Sequence, residues 1–185
     1  MEVAAKERLI SVLEYYKMGE SEIFRPDERL ELIEGKIIQM SPIGARHAYC
    51  VGRLTQVLTQ QLSTDKYLGV QNPISFGELS EPEPDLFVAK GPISKYEFSH
   101  PTKEDILLII EVSDSTLEFD RNVKGPLYSS VEIAEYWIIN TPENKIEIFK
   151  DPAEGSYQSK EVISTGQSMT SKSLNLSFDS KLILA

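Results

Sequence analysis

Two carboxylates are the residues of this sequence whose positions could support chemistry. Glu111 follows five consecutive aliphatic residues, 106–110. A carboxylate at the end of such a segment must be paired, protonated or bound to a cation to offset its desolvation. Asp85 begins another apolar segment, 86–89. If the two segments are neighbouring strands, the carboxylates meet at one end of a sheet and could hold a hard divalent cation, which polarises a phosphate and activates a bound water.

A lysine is the natural third member of such a site, because an ammonium stabilises the negative charge that develops in the transition state. Lys124 is the candidate, since it lies near the start of the helix predicted after the Glu111 strand. Helical side chains lean toward the N-terminus, which here is the end nearest the strand exit. Gly125-Pro126 is compatible with this placement, because proline is tolerated in the first turn of a helix.

The N-terminal part of the chain is predicted to form a hairpin between two amphipathic helices. Apolar residues at helical spacing predict a first helix over 3–18 and a second from about residue 45 to 62. Between them, residues 29–40 read as two short strands on either side of Glu34-Gly35. His47 lies on the apolar stripe of the second helix.

The remainder of the chain predicts a sheet whose central strand is covered on both faces. The unbroken apolar run before Glu111 is typical of such a buried strand. The predicted elements are a strand over 67–76, a strand opened by Asp85, the central strand over 106–112, a helix over 121–130, the paired strands 136–139 and 146–149, and edge strands near Val162 and over 174–178. Together they indicate an α/β fold in one domain spanning 1–185.

Composition limits the classes of function. A single cysteine, Cys50, cannot form an internal disulfide, and no signal-peptide pattern opens the chain, so a cytoplasmic location is expected. The longest apolar run is too short to cross a bilayer, which argues against a membrane role. The net charge of −10 opposes tight binding of nucleic acid, although the surface can still carry a local basic strip.

Several segments, in their order and spacing, resemble the Uma-two family of restriction-endonuclease-like proteins, a branch of the PD-(D/E)XK nuclease superfamily. The resemblance runs from about residue 29 to 149 and is carried by Glu31-Leu32-Ile33-Glu34-Gly35, Pro84-Asp85, Ile110-Glu111-Val112-Ser113, Asp120-Arg121-Asn122-Val123-Lys124 and Glu135-Tyr136-Trp137-Ile138-Ile139.

This resemblance implies a restriction-endonuclease-like mixed β-sheet flanked by α-helices, with Asp85 and Glu111 as ligands of Mg²⁺ or Mn²⁺. The superfamily motif places its lysine two residues after the acid, where this chain has Ser113, and in this branch the lysine is displaced to Lys124. The family pattern also indicates Glu31 and His47 as accessory groups around the metal.

Most of these residues also have a structural interpretation. Asp85 could cap a turn, Lys124 could form a solvent-facing helical ion pair with Asp120, His47 could be a core histidine bonded to a carbonyl, and Glu31 could lie on a solvated face. Glu111 has few such explanations, because a charge at its position is costly to bury.

The resulting hypothesis is a DNA endonuclease that uses Mg²⁺ or Mn²⁺, with Lys124 orienting or activating water, and that could dimerise to cut two strands. One alternative is a catalytically inactive nuclease-fold domain that binds nucleic acid or a protein partner, which the acidity of the chain favours. A further alternative is an acidic homodimeric scaffold without a nucleic-acid role.

Overall fold

The computed structural model of the protein describes residues 6–184, and its first elements are two helices with a hairpin between them. Their bounds are α1 (Val12–Glu20), β1 (Leu30–Ile33), β2 (Lys36–Gln39) and α2 (Ala45–Gln61). The predicted hairpin is confirmed, and its turn residues Glu34 and Gly35 have φ values of 49° and 75°, positive as a type I′ turn requires. The predicted second helix is confirmed as α2.

The first helix begins later than its apolar spacing predicts. A capping box sets its start, because the Ser11 hydroxyl accepts the Glu14 N–H while the Glu14 carboxylate accepts the Ser11 N–H. Residues 6–11 are therefore not helical, and the prediction of a helix over 3–18 is wrong for these residues. Residues 3–5 of that prediction lie outside the described part of the chain.

A six-stranded mixed sheet forms the centre of the fold. Its strands lie side by side in chain order: β3 (Lys66–Val70), β4 (Leu86–Lys90), β5 (Ile106–Ser113), β6 (Glu135–Asn140), β7 (Lys145–Ala153) and β8 (Ser156–Ser164). Neighbours pair antiparallel, except that β5 and β6 are parallel. The parallel pair requires a crossover, which the helical segment between β5 and β6 supplies.

The central strand β5 is covered on both faces, as its apolar run predicts. Leu54 and Leu58 of α2 belong to the core on one face, together with Ile110 of β5. Ile109 points to the other face and belongs to a second core that includes Tyr128. Helices therefore flank the mixed sheet, and the predicted fold class is confirmed.

The crossover between β5 and β6 contains a π-helical turn. It consists of α3 (Leu117–Phe119), the π-turn (Asp120–Lys124) and α4 (Gly125–Ser130). The Gly125 N–H donates to the Asp120 carbonyl five residues earlier, and Pro126 has no N–H to continue an α-helical pattern. The helical segment predicted over 121–130 thus begins four residues earlier, and Gly125-Pro126 opens α4, where proline is tolerated in the first turn.

The C-terminal part adds a small hairpin, β9 (Ser168–Ser171) with β10 (Leu176–Asp179). Phe178 packs edge-on against Trp137 with ring centroids 5.6 Å apart. The edge strand near Val162 is confirmed as β8. The strand predicted over 174–178 begins two residues later, at Leu176, and pairs with β9, which no sequence pattern predicted. Two 3-10 helices, Ile93–Tyr96 and Ser180–Leu182, complete the elements of the described chain.

Two further points concern element length. The strand predicted over 67–76 ends at Val70, because Gln71 takes a φ of 51° and the Asn72 side chain accepts the Val70 N–H. Among the described helices, none combines the length and the apolar character needed to span a bilayer.

Candidate active site

All five residues singled out from the sequence line one cavity of about 380 Å³ at the C-terminal end of β5. The hairpin supplies Glu31, α2 supplies His47, and the segment before β4 supplies Asp85. Glu111 comes from β5 and Lys124 from the π-turn. The structure therefore brings together side chains that are up to 93 residues apart in the chain.

Asp85 lies one residue before β4 and is held by three donors. Its Oδ2 accepts the Val112 N–H at 2.9 Å and lies 2.9 Å from His47 Nε2, while its Oδ1 accepts the Gln71 amide at 3.1 Å. Burial opposes ionisation, but the bonds and charge of His47 and the bonds of the other two donors hold the pKa of Asp85 below its usual value. Asp85 is thus an ionised, fixed carboxylate.

Glu111 is buried and connects Asp85 to the lysine. Its Oε2 accepts the Asp85 N–H at 3.2 Å, and its Oε1 accepts Lys124 Nζ at 3.0 Å and the Tyr128 hydroxyl at 2.7 Å. Burial raises the pKa of Glu111 to about 8, Lys124 opposes this shift, and the negative charges of Asp85 and Asp120 add to it. At neutral pH this carboxyl therefore readily retains a proton.

Lys124 is buried between two carboxylates, with Nζ 3.0 Å from Glu111 and 3.2 Å from Glu31. Burial opposes its charge, but the carboxylates of Glu111, Glu31 and Asp120 outweigh burial and raise the pKa of Lys124. The interpretation of a solvent-facing pair with Asp120 is wrong, because the π-turn directs both side chains into the protein. Lys124 instead serves as the shared cation of the cavity.

Glu31 and His47 are also fixed in the cavity wall. Glu31 is buried on β1 and accepts the Glu83 N–H at 3.1 Å, so the interpretation of a solvated face is wrong. β1 is tied to the segment before β4, since Leu32 and Glu81 exchange backbone hydrogen bonds. His47 bonds Asp85 and not a core carbonyl, and its Nδ1 is buried without a hydrogen-bond partner among the described residues.

Four residues of the site were missed by sequence reasoning. Asp120 accepts the hydroxyls of Ser113 at 2.6 Å and Thr116 at 2.7 Å, and burial raises its pKa. Glu83 is the second missed residue, and its pKa is raised by burial and by the charge of Glu31. The third and fourth missed residues are Tyr128 and Gln71. Glu83 could have been found, because it stands two residues before Asp85 in an extended segment, but no local pattern marks Gln71 or Tyr128 as partners of these carboxylates.

The donor chemistry of the cavity suits a hard divalent cation. The carboxylates outnumber the basic side chains, since Arg29, His47 and Lys124 share the cavity with Glu31, Glu83, Asp85, Glu111, Asp114 and Asp120. Within residues 6–184, however, no three His, Cys, Asp or Glu side chains are gathered so that they could hold one metal ion. The Lys124 ammonium stands between Glu31 and Glu111, which leaves neighbouring Asp85 and Glu111 as the pair that could bind a cation by oxygen.

Comparisons with known proteins agree with this fold. The model of the Uma2 family, described as "Putative restriction endonuclease", matches residues 12–182. A solved structure from Anabaena variabilis ATCC 29413, titled as a putative nuclease belonging to DUF820, superposes with a TM-score of 0.66 and 19% sequence identity. The match covers 94% of this chain and 97% of that chain. No curated protein matches the sequence.

Proposed function

Because the chain belongs to the Uma2 family of restriction-endonuclease-like proteins, we propose that it is a Mg²⁺- or Mn²⁺-dependent endonuclease that hydrolyses DNA phosphodiester bonds. One observation carries this proposal. The buried Glu111 carboxyl links the Asp85 backbone to the Lys124 ammonium at the wall of an open cavity. The cavity also holds more carboxylates than basic side chains, and burying this excess of negative charge opposes folding. A purely structural ion pair would not need such an excess.

Asp85 and Glu111 would hold the ion, which when bound polarises a phosphate oxygen and lowers the pKa of a bound water. Glu111 would release its proton on binding the ion, because its pKa near 8 reflects the burial that a cation would offset. Lys124 keeps its charge in the cavity and would stabilise the negative charge that develops on the phosphate or orient the attacking water.

The remaining side chains act as positioning groups in this proposal. His47 holds Asp85 through its Oδ2, and Tyr128 holds Glu111 through its Oε1. Glu31 holds Lys124 from the side opposite Glu111. We also propose that residues 1–185 act as a single nuclease domain, and that cutting both strands of a duplex uses two copies of the chain.

A second candidate is an inactive nuclease-fold domain that binds nucleic acid or a protein partner. It is favoured by the lack of a three-ligand cluster among the described residues and by the net charge of −10. An inactive domain predicts indifference to divalent ions, whereas the enzyme predicts that Mn²⁺ binds and that Asp85→Asn weakens its binding.

The test is cleavage of supercoiled, linear, single-stranded and branched DNA with Mg²⁺ or Mn²⁺. The wild type is compared with Glu111→Gln and Asp85→Asn, and with Glu147→Gln, a matched change at another buried glutamate of the same sheet face. We expect both site variants to lose at least about 100-fold in rate, because each removes a metal ligand, and Glu147→Gln to retain activity. Cleavage by Glu111→Gln at the wild-type rate would overturn the proposed role, and folded wild-type protein that cuts no substrate would favour the binding domain.

A further inference from the structure

One continuous stretch of this acidic chain carries no acidic residue. Residues 35–64 contain neither aspartate nor glutamate, while the other 155 residues hold all 29 acidic side chains. The next longest stretch without an acidic residue spans only residues 162–178. The acid-free stretch contains three basic residues, Lys36, Arg46 and Arg53, so it is locally positive in a protein of net charge −10.

The acid-free stretch forms one wall of the cavity. It comprises β2, the loop 40–44 and α2, and the residues from Ile38 to Gly44 line the cavity together with His47. The other lining residues include the carboxylates of the candidate active site. A polyanion would be repelled by these carboxylates and tolerated by the acid-free part of the lining.

The acid-free wall continues along the exposed flank of α2. The spacing of three and four residues places a set of side chains on one flank of the helix, which we call the α2 stripe: Arg46, Tyr49, Arg53, Gln56 and Gln60. Arg53 is partly exposed and the other four are exposed. The ends of the stripe are fourteen positions apart in the helix, so the stripe is about 21 Å long.

The basic side chains of the stripe are available to an anion. Within residues 6–184, neither Arg46 nor Arg53 forms an ion pair with a carboxylate. Arg53 is held in place, because its guanidinium donates to the Leu182 carbonyl at 2.9 Å and lies 6.0 Å from the ring centre of Tyr49. These contacts order the side chain, and no carboxylate of the described part of the chain pairs with its charge.

We propose that the α2 stripe is the surface along which a DNA backbone lies as it enters the cavity, an inference that rests on the proposed function. Arginine and glutamine side chains donate hydrogen bonds to phosphate oxygens without reading sequence. Measured along the axis of B-DNA, a length of about 21 Å is the rise of about six phosphates of one strand. The phosphate chain thus runs along a segment of the chain that has no acidic residue, and the scissile phosphate approaches the carboxylates only where a metal ion would be bound.

The test measures binding of labelled single-stranded and duplex DNA by fluorescence anisotropy in EDTA, as a function of salt from 50 to 200 mM. Arg46→Gln removes a positive charge from the stripe, and Gln56→Glu/Gln60→Glu adds two negative charges with little change in shape. Arg53 is left intact because it also anchors the C-terminal segment. The matched controls are Lys103→Gln, exposed at the end of β5 remote from the cavity, and Gln158→Glu, exposed on the edge strand β8.

We expect Arg46→Gln to lower the slope of log affinity against log salt by about one, with equal effects on unrelated DNA sequences. The double glutamate variant weakens binding further, and both controls bind as the wild type does. Equal losses in stripe and control variants, or no loss in the stripe variants, would overturn the inference, as would the absence of salt-dependent DNA binding by the wild type.

The cleavage assay separates this inference from the proposed function. If the wild type cuts DNA and the stripe variants bind DNA as the wild type does, the proposed nuclease activity is retained and the α2 stripe is rejected as the DNA-binding surface. If the wild type binds DNA through the α2 stripe but cuts no DNA with either metal, the DNA-binding inference is retained and the proposed nuclease activity is rejected.

Discussion

Glu111 and Glu147 stand in the same row of the central sheet and yet have opposite electrostatic environments. Glu111 on β5 is in register with Ile138 on β6, which in turn is in register with Glu147 on β7. The side chains therefore project from the same face, and each residue is 3% exposed. The pKa of Glu111 is raised to about 8, whereas that of Glu147 is lowered to about 2.

The two carboxylates differ in the number of cations that surround them. Burial opposes the ionisation of both groups, but Glu147 accepts Arg121 Nε at 3.1 Å and lies 2.8 Å from Lys160 Nζ. Glu111 has only a share of Lys124, which also pairs with Glu31. One glutamate thus completes a satisfied ion network, while the other belongs to a cluster whose excess negative charge could accept a further cation.

The largest predicted effect compares the cations of the two regions. Lys124→Met leaves the buried Glu31 and Glu111 without a cation, and we expect it to lower the free energy of unfolding by about 3 kcal/mol at pH 7. Arg121→Met leaves Glu147 paired with Lys160, and we expect a loss of about 1 kcal/mol. Urea unfolding measures both changes. If Arg121→Met costs as much as Lys124→Met, the proposed contrast between the two regions fails.

The next prediction concerns how stability changes with pH. The folded pKa of Glu111 lies above the ordinary value of 4.5, so the folded state binds an extra proton, and this stabilising effect is lost as pH rises from about 4.5 to about 8. Glu111→Gln cannot ionise, and we expect it to gain about 2–3 kcal/mol relative to the wild type between pH 5 and pH 7. The folded pKa of Glu147 lies below 4.5, so its contribution is present above 4.5 and lost as pH falls toward about 2.

Glu147→Gln is accordingly expected to cost about 2 kcal/mol at pH 7, with a difference from the wild type that shrinks below pH 4.5. Chemical denaturation from pH 3 to pH 9 follows both variants. Parallel stability profiles for Glu111→Gln and the wild type above pH 5 would show that Glu111 is ionised there and has a normal pKa.

The smallest predicted effect tests how Glu111 is positioned. Tyr128→Phe removes one hydrogen bond to Oε1, while the ring keeps its edge-on packing against Tyr136 at 5.0 Å, so we expect a loss of about 1 kcal/mol. The pH dependence should also shift upward, because the ionised form of Glu111 loses a donor.

Tyr157→Phe is the matched control for Tyr128→Phe. Its hydroxyl donates to the Ile133 carbonyl at 2.9 Å and lies on the sheet edge remote from Glu111. We expect a similar loss of stability with no shift in the pH profile. An identical pH profile for Tyr128→Phe and Tyr157→Phe would show that the Tyr128 hydroxyl does not stabilise the ionised form of Glu111.

The sheet was largely predictable because its signals are local. Five successive aliphatic residues before Glu111 indicate a strand covered on both faces, and Glu34-Gly35 indicates a tight turn. The boundaries were less predictable. The start of α1 depends on the Ser11 capping box, and β9 has no apolar alternation that would mark it as a strand.

Some residues of the candidate site could likewise be predicted from local sequence patterns, and others could not. Glu111 was recognised because its apolar surroundings in sequence already imply burial. The inward direction of the Asp120 and Lys124 side chains was not predicted, because a regular α-helix without the π-turn could equally well place this pair in solvent. Tyr128 and Gln71 reach the carboxylates across the fold, so no short-range pattern indicates their roles.

By itself, the sequence determined which residues must be buried, where the central strand runs and that one stretch of 30 residues has no acidic side chain, because hydrophobicity and charge are properties of residue type. The tertiary structure alone decided that Glu31 and Glu111 share Lys124 while Glu147 pairs with both Arg121 and Lys160. The protonation of a buried carboxyl depends on distances of about 3 Å between residues far apart in the chain, and only the folded protein sets those distances.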